Sequence, residues 1–218
     1  LDNWQRPAVN YAAEYAEVAT FALLDPVLAA EPPDWAPDGS FDQAGFALLR
    51  SDLGPDASWL MIQGEHGPVR LHGLGHEQPD ATNLLLWHRG EPLILDPGYI
   101  NWEHRALVNR AADHNLILVD GQGPDTADAF LEGFESTPPW ATVQVRSGWG
   151  GVALTRRIVR VDGRFFVMDD RLDPAEGDGE AHRYALQLNG NGGEQVADGR
   201  FAQLPWGRRG ESAPGHAA

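Results

Sequence analysis

Between Gly75 and Asn115 the chain carries imidazole, carboxylate and amide groups that a sandwich of β-strands would not need for packing. The series opens at Gly75-His76-Glu77-Gln78-Pro79-Asp80, passes through Asp96-Pro97-Gly98-Tyr99 and closes at Asp113-His114-Asn115. Side chains of these types can move protons, orient a substrate or hold a metal ion. The apolar runs Leu84-Leu85-Leu86-Trp87 and Leu93-Ile94-Leu95 separate the groups, so rigid strands would carry them near one edge. Each residue also has a plainer role. A single His in a β-protein more often sits on the surface or in a hydrogen bond. Asp-Pro-Gly is turn chemistry, and the Asp96 carboxylate can simply cap that turn. His114-Asn115 can tie the start of a strand to backbone groups. His66, His72, His88, His104 and His182 lack comparable motif support and read as ordinary polar positions.

Taken in order, these segments resemble the heparinase II/III-like proteins, a group of polysaccharide lyases and their relatives. The residues that carry the resemblance are Gly75-His76 with Asp80, the strand with Asn83, Gly90-Glu91-Pro92, Asp96-Pro97-Gly98-Tyr99, and His114-Asn115 with Val119-Asp120-Gly121. They span Phe46 to Arg171. The ordered series is more specific than any single piece. The resemblance implies an upstream toroid of paired helices, a large antiparallel β-sandwich and an active site in the cleft between them. It implies β-elimination on a uronic-acid polysaccharide, in which the proton beside the carboxylate is removed and the departing glycosidic oxygen is protonated. On this reading His76 is catalytic, Tyr99 and Arg105 line the substrate cleft, and Asp80 and Asn115 belong to the structural motif. Relatives often carry two His separated by one residue, the second joining a later Asp and a later His on zinc. Here the second position is Gln78, while Asp96 and His114 fill the other two. An amide oxygen is a much poorer zinc ligand than an imidazole nitrogen. Two readings stay open, a weakened zinc site and a metal-free hydrogen-bonded cluster of Gln78, Asp96 and His114, with the cluster slightly preferred.

Composition sets outer limits. The chain has 218 residues, 42% of them hydrophobic, with 8 Trp, which suits a folded chain rather than a disordered one. No apolar run approaches the ~20 residues needed to span a bilayer. Cys is absent, which excludes disulfides, zinc-thiolate sites and a thiol nucleophile. All 16 basic residues are Arg, against 32 acidic ones, for a formal net charge of -16. That field opposes nucleic acid and an acidic membrane surface. It also opposes an anionic polysaccharide, unless an Arg-lined cleft overrides it within a Debye length of about 8 Å.

The elements that must position the site read as mainly β. Tyr11 to Leu24 has helical spacing, with Tyr11, Tyr15, Val18 and Phe21 on one face. Residues 1–30 are therefore expected to hold the last helix of an upstream toroid, 31–45 a Pro-rich linker, 46–206 an incomplete antiparallel β-sandwich of the super-sandwich type, and 207–218 a disordered tail. Short apolar runs separated by Gly, Pro, Asp and Asn recur from Phe46 to Leu188. The clearest hairpin turns at Asp162-Gly163, a dipeptide suited to a type I′ turn.

The expected partners are an acidic polysaccharide or oligosaccharide and the upstream helical domain of the same protein, with no nucleic acid and no membrane insertion. The expected location is periplasmic or secreted, and the isolated chain is expected to be inactive. Two readings from other classes remain. One is a non-catalytic carbohydrate-binding sandwich stacking sugars on Trp87, Trp102 or Trp140, although the apolar neighbours of Trp87 favour a core position for it. The other is a cupin-like metal oxygenase with His76, Asp96 and His114 as a two-His, one-carboxylate site.

Overall fold

The computed structural model describes residues 36–70, 77–98, 103–190, 194–197 and 200–202. Strands β1 (Gly39–Phe41), β2 (Phe46–Arg50), β3 (Trp59–Gln63), β4 (Leu84–His88) and β5 (Glu91–Ile94) form one sheet, paired in that order. After the short β6 (Ile117–Val119) come β7 (Phe130–Thr137), β8 (Trp140–Trp149), β9 (Val152–Val161) and β10 (Phe165–Pro174). These four make a second sheet in the order β10-β9-β8-β7. β11 (Tyr184–Leu186) returns to pair with β6, and β12 (Glu194–Ala197) pairs with β13 (Arg200–Ala202). Every pairing is antiparallel.

The two larger sheets bury their facing sides as a sandwich. Ala47 and Leu49 of β2, Leu60 and Ile62 of β3, and Leu84 of β4 share one core cluster with Ala141, Val143 and Val145 of β8 and Ile158 of β9. The period-two pattern explains it: alternate residues of β8 are buried while Thr142 and Gln144 face out. A smaller cluster gathers Ile117, Val119, Trp149, Val152 and Leu154.

β9 keeps the alternation but places Arg156 and Arg160 at inward positions. Both are buried, and both are paired. Arg156 makes a two-point bridge to Asp170, its register partner on β10, at 2.7 and 2.9 Å. Arg160 bridges to Asp38 at 2.7 and 3.2 Å. Bidentate guanidinium–carboxylate geometry is what makes such burial tolerable.

The sequence reading and the structure differ in places. β1 lies within the stretch 31–45 expected to be linker. β7 has no clear period because Gly133, at φ 59°, and a register shift between Glu132 and Glu135 interrupt its alternation. Trp87 is not in the core: it lies half-buried on the face opposite Leu60, stacked on Trp59 with ring centroids 4.6 Å apart. The Asp162-Gly163 hairpin is present, with φ 49° and 61° and Arg164 N–H donating to Val161 O at 3.0 Å. The helix expected over Tyr11 to Leu24 and the tail 207–218 fall outside the described residues.

Candidate functional site

The end of β3, the start of β4 and the end of β5 lie at one pole of the first sheet, and the chemistry-bearing residues collect there. Asn83, just before β4, is the hub. Its amide nitrogen donates to Asp96 Oδ2 at 2.9 Å and to Gln63 Oε1 at 3.2 Å, and its oxygen accepts the Asn115 N–H at 3.0 Å. Asn115 in turn donates to the carbonyls of Leu84 and Leu95, both at 2.8 Å, and accepts the Asn189 N–H at 2.7 Å. Asn115 thus stands in for strand pairing where the chain turns away from the sheet.

Asp96 serves two purposes. Its Oδ1 accepts the Gly98 N–H at 2.8 Å and so caps the Asp-Pro-Gly turn, where Gly98 has φ 60°. Its Oδ2 faces His114 Nδ1 at 2.7 Å. A carboxylate accepts, so Nδ1 is the donor in this contact and Nε2 is the ring nitrogen turned away from Asp96. His114 is fully buried, and Nε2 has no hydrogen-bond partner among the described residues. A buried ring nitrogen oriented by a carboxylate and otherwise uncommitted is a polar group without its partner. The turn before it is fixed by Arg110 and Asp113, whose side chains and backbones cap each other, and the Arg110 guanidinium holds the Asp113 carboxyl below its usual range.

Further donors and acceptors pack nearby. Gln63 donates to Asp80 at 3.1 Å and to Glu65 at 3.2 Å. Burial pushes the carboxyls of both Asp80 and Glu65 up, and the Gln63 amide opposes the shift in each. Arg70, with a fully buried side chain, bridges to Glu77 at 2.6 Å and donates to the Gln78 carbonyl at 3.4 Å. Gln78 donates its amide to Gly98 O at 3.2 Å, tying the two motif loops together. Gln78 and Arg105 both line a cavity of about 250 Å³, together with Asn109, Asp125 and Thr126. The buried Asn109 Oδ1 has no partner among the described residues.

Of the residues singled out in the sequence, Asp80, Asp96, His114, Asn115 and Gln78 join one connected pole, and Arg105 reaches its margin. His76, Tyr99 and Trp102 lie outside the described residues. The sequence reading missed Arg156, whose remaining N–H groups donate to the carbonyls of Thr82 and Asn115, both at 2.9 Å. It also missed Gln63, Arg70 and Asn189. Only an Arg at an inward position of a strand could have signalled Arg156, and the sequence does not show which way a strand faces. His182, read as ordinary, is held between Asp120 at 2.7 Å and Asp178 at 2.9 Å.

The zinc reading can be tested on the donors. A zinc ion bound by both Asp96 and His114 at ~2.0–2.2 Å would spread the two ligand atoms to roughly 3.3 Å. They sit 2.7 Å apart, as a hydrogen bond requires. Both Asp96 oxygens are already accepting, and Gln78 directs its amide to a carbonyl. No group of three His, Asp or Glu among the described residues is arranged to hold a metal. With Nδ1 bonded to Asp96, His114 could meet a metal only through Nε2, and Gln78 and Asp96 are already committed to other partners.

The family model for the heparinase II/III-like C-terminal region matches residues 34–206. The chain belongs to the heparinase II/III-like C-terminal family. That match is wider than the motif-bearing stretch from Phe46 to Arg171. The chain is 25% identical over 181 residues to an alginate lyase of Stenotrophomonas maltophilia (strain K279a), covering 72% of this chain and 23% of that protein. A heparinase III structure superposes with a TM-score of 0.60 at 20% identity, covering 78% of this chain and 27% of the other. A heparan sulfate lyase from Pedobacter heparinus gives 0.59 at 17% identity over the same shares. These structures show the shared fold. The chain spans about a quarter of the length of these relatives. Family membership supports the polysaccharide lyase reading over a cupin-like oxygenase.

Proposed function

We propose that this chain supplies the sandwich wall of a lyase active site that cleaves a uronic-acid polysaccharide by β-elimination. The observation that carries the reading is the buried Asp96–His114 pair, with its uncommitted Nε2, set in the Asn83–Asn115 network of a heparinase II/III-like domain. In this reading the network is a brace. It fixes the loops on either side of β4 and β5 so that His76 can exchange a proton with the sugar or its leaving oxygen. In this reading Arg105, which lines the 250 Å³ cavity, meets the uronate carboxylate, and Tyr99 keeps the substrate-binding role that the family resemblance implies. Asp96, His114 and Gln78 do this work as a hydrogen-bonded cluster without zinc.

The upstream helical domain supplies the other wall. Removing one acid–base partner costs ~10²–10⁴-fold, and the lost positioning adds to that. The chain alone therefore has no appreciable activity. A polymeric substrate places the parent protein in the periplasm or outside the cell. The test compares this chain with the longer parent protein on a panel of uronic-acid polysaccharides, following the ultraviolet absorbance of the unsaturated product. The parent should form product, should lose at least ~10²-fold in His76→Ala, and should purify without stoichiometric zinc. A strong signal from this chain alone that disappears in His76→Ala would overturn the division of labour. Zinc at one equivalent that restores chelator-treated parent would overturn the metal-free cluster.

A further inference from the structure

The charges around the 250 Å³ cavity limit what it can hold. The cavity is smaller than the sites of drug-sized ligands, which suits one sugar unit of a longer chain. Arg105 is the one cation among its described lining residues. Against it stand the carboxylates of Glu77 and Asp125, while Gln78, Asn109 and Thr126 bring neutral hydrogen-bonding groups.

The two carboxylates are held differently. Glu77 is bridged to the buried Arg70 at 2.6 Å, so that pair adds little net charge. Asp125 is exposed and has no ion-pair or hydrogen-bond partner among the described residues. Its place is fixed by the backbone. It is the first inner residue of the turn from Pro124 to Ala127, closed by the Ala127 N–H donating to Pro124 O at 2.8 Å. Asp125 has φ 48° there, a left-handed conformation that Asp and Asn accept more readily than most residues.

The neighbouring cations are already engaged. Arg70 faces Glu77 and the Gln78 carbonyl, and Arg110 is bridged to Asp113 at 2.7 Å. The stretches 71–76 and 99–102, which adjoin Glu77 and Gly98 in the chain, contain no Arg or Lys. A uronate ring carries one negative charge, and a single guanidinium suffices to meet it. A sulfate group adds a further permanent charge that needs its own cation. On this wall it would meet Asp125 instead. An unpaired like charge is a common means of rejecting a competing ligand. The net charge of -16 acts in the same direction, because its field opposes a densely charged polymer more than a sparsely charged one.

We propose that this cavity takes an unsulfated uronate unit and that Asp125 is the residue that turns sulfated units away. The uronate itself rests on the lyase reading above; the selection against sulfate rests on the charges of the cavity.

The test is calorimetric titration of the parent protein carrying His76→Ala, at fixed salt. The ligands are hexasaccharides of alginate and of the unsulfated heparan backbone, each beside its sulfated form. The unsulfated member of each pair should bind about tenfold tighter. Adding Asp125→Asn, which suits the same turn and should leave the melting temperature unchanged, should narrow that ratio by about threefold or more through tighter binding of the sulfated member. The control lies at the opposite end of β3 and β4. There a cavity of about 770 Å³ is lined by Asp56 and by Arg89, which opens the β4–β5 turn with φ 52°. Asp56→Asn removes the same charge from the chain and should leave the ratio where it was. Equal binding of sulfated and unsulfated members would overturn the proposal. So would a ratio that Asp125→Asn does not move, one that Asp56→Asn moves equally, or no binding of either unsulfated ligand at millimolar concentration. The expected ratio in a parent protein that forms no unsaturated product would sink the lyase reading and leave this selectivity standing.

Discussion

The two poles of the sandwich solve opposite problems with similar residues. At the Asp96–His114 pole, Asn, Asp, Gln and His bond to one another, while His114 Nε2, Asn109 Oδ1, Thr82 Oγ1 and two Arg70 nitrogens have no partner among the described residues. At the Arg89 pole, Arg, His, Ser and Asp line open space, and large aromatics stand in solvent. Polar groups that satisfy each other make a rigid frame, whereas polar groups left facing water make a surface for a ligand. The first pole is therefore expected to matter most for stability and geometry.

The comparison breaks most easily at Arg156, which staples the second sheet to the backbone on both sides of the first pole. Arg156→Met leaves Asp170 and the Thr82 and Asn115 carbonyls without their donor. It should cost about 3–5 kcal/mol in urea melts, as removal of one partner of a buried pair does. A loss under ~1 kcal/mol, the range of exposed pairs, would mean the staple is not structural. Asn83→Ala should cost about 1–3 kcal/mol by stranding buried acceptors and a donor. Little change there would mean that water replaces the hub.

At the second pole the sign reverses. Arg89→Asn should stabilise the chain by about 0.5–1 kcal/mol, because Asn tolerates the left-handed backbone that Arg resists. A lowered melting temperature would show that Arg89 makes contacts that outweigh its backbone strain.

The smallest effect lies at His182, which sits apart from both poles. Hydrogen bonds to Asp120 and then to Asp178 raise its pKa above the ordinary 6.5. The Arg183 N–H and His182 hold Asp120 below its usual 3.8, and His182 does the same for Asp178. The imidazolium contribution is thus complete below pH 6.5 and fades as pH rises through the raised value. The carboxylate contribution is present above pH 3.8 and fades as pH falls through the depressed values. The stability lost in His182→Gln should therefore be largest between these limits and shrink toward alkaline pH. A difference that grew with pH would contradict the contact.

From the sequence alone came most of the strands between Phe46 and Leu188, the turn at Asp162-Gly163 and the ordered motif series, but not β1 or β7. Each rests on local rules: alternation of apolar residues, the backbone freedom of Asp-Gly, and residue types at fixed spacing. Asp96 and His114 could be chosen together because the motif order names them both, although 18 residues separate them. Tertiary structure decided the rest. That Asp96 caps its own turn and also orients His114 follows from where β5 ends relative to the chain before β6. The roles of Arg156 and Arg160 depend on which face of β9 meets the other sheet, and period two fixes alternation but not direction. Trp87 reads as a core residue by its neighbours, yet alternation with Leu86 puts it on the opposite face, stacked on Trp59. The cavity at the Arg89 pole joins four separate turns and strand ends, a coincidence of distant segments that no local pattern encodes.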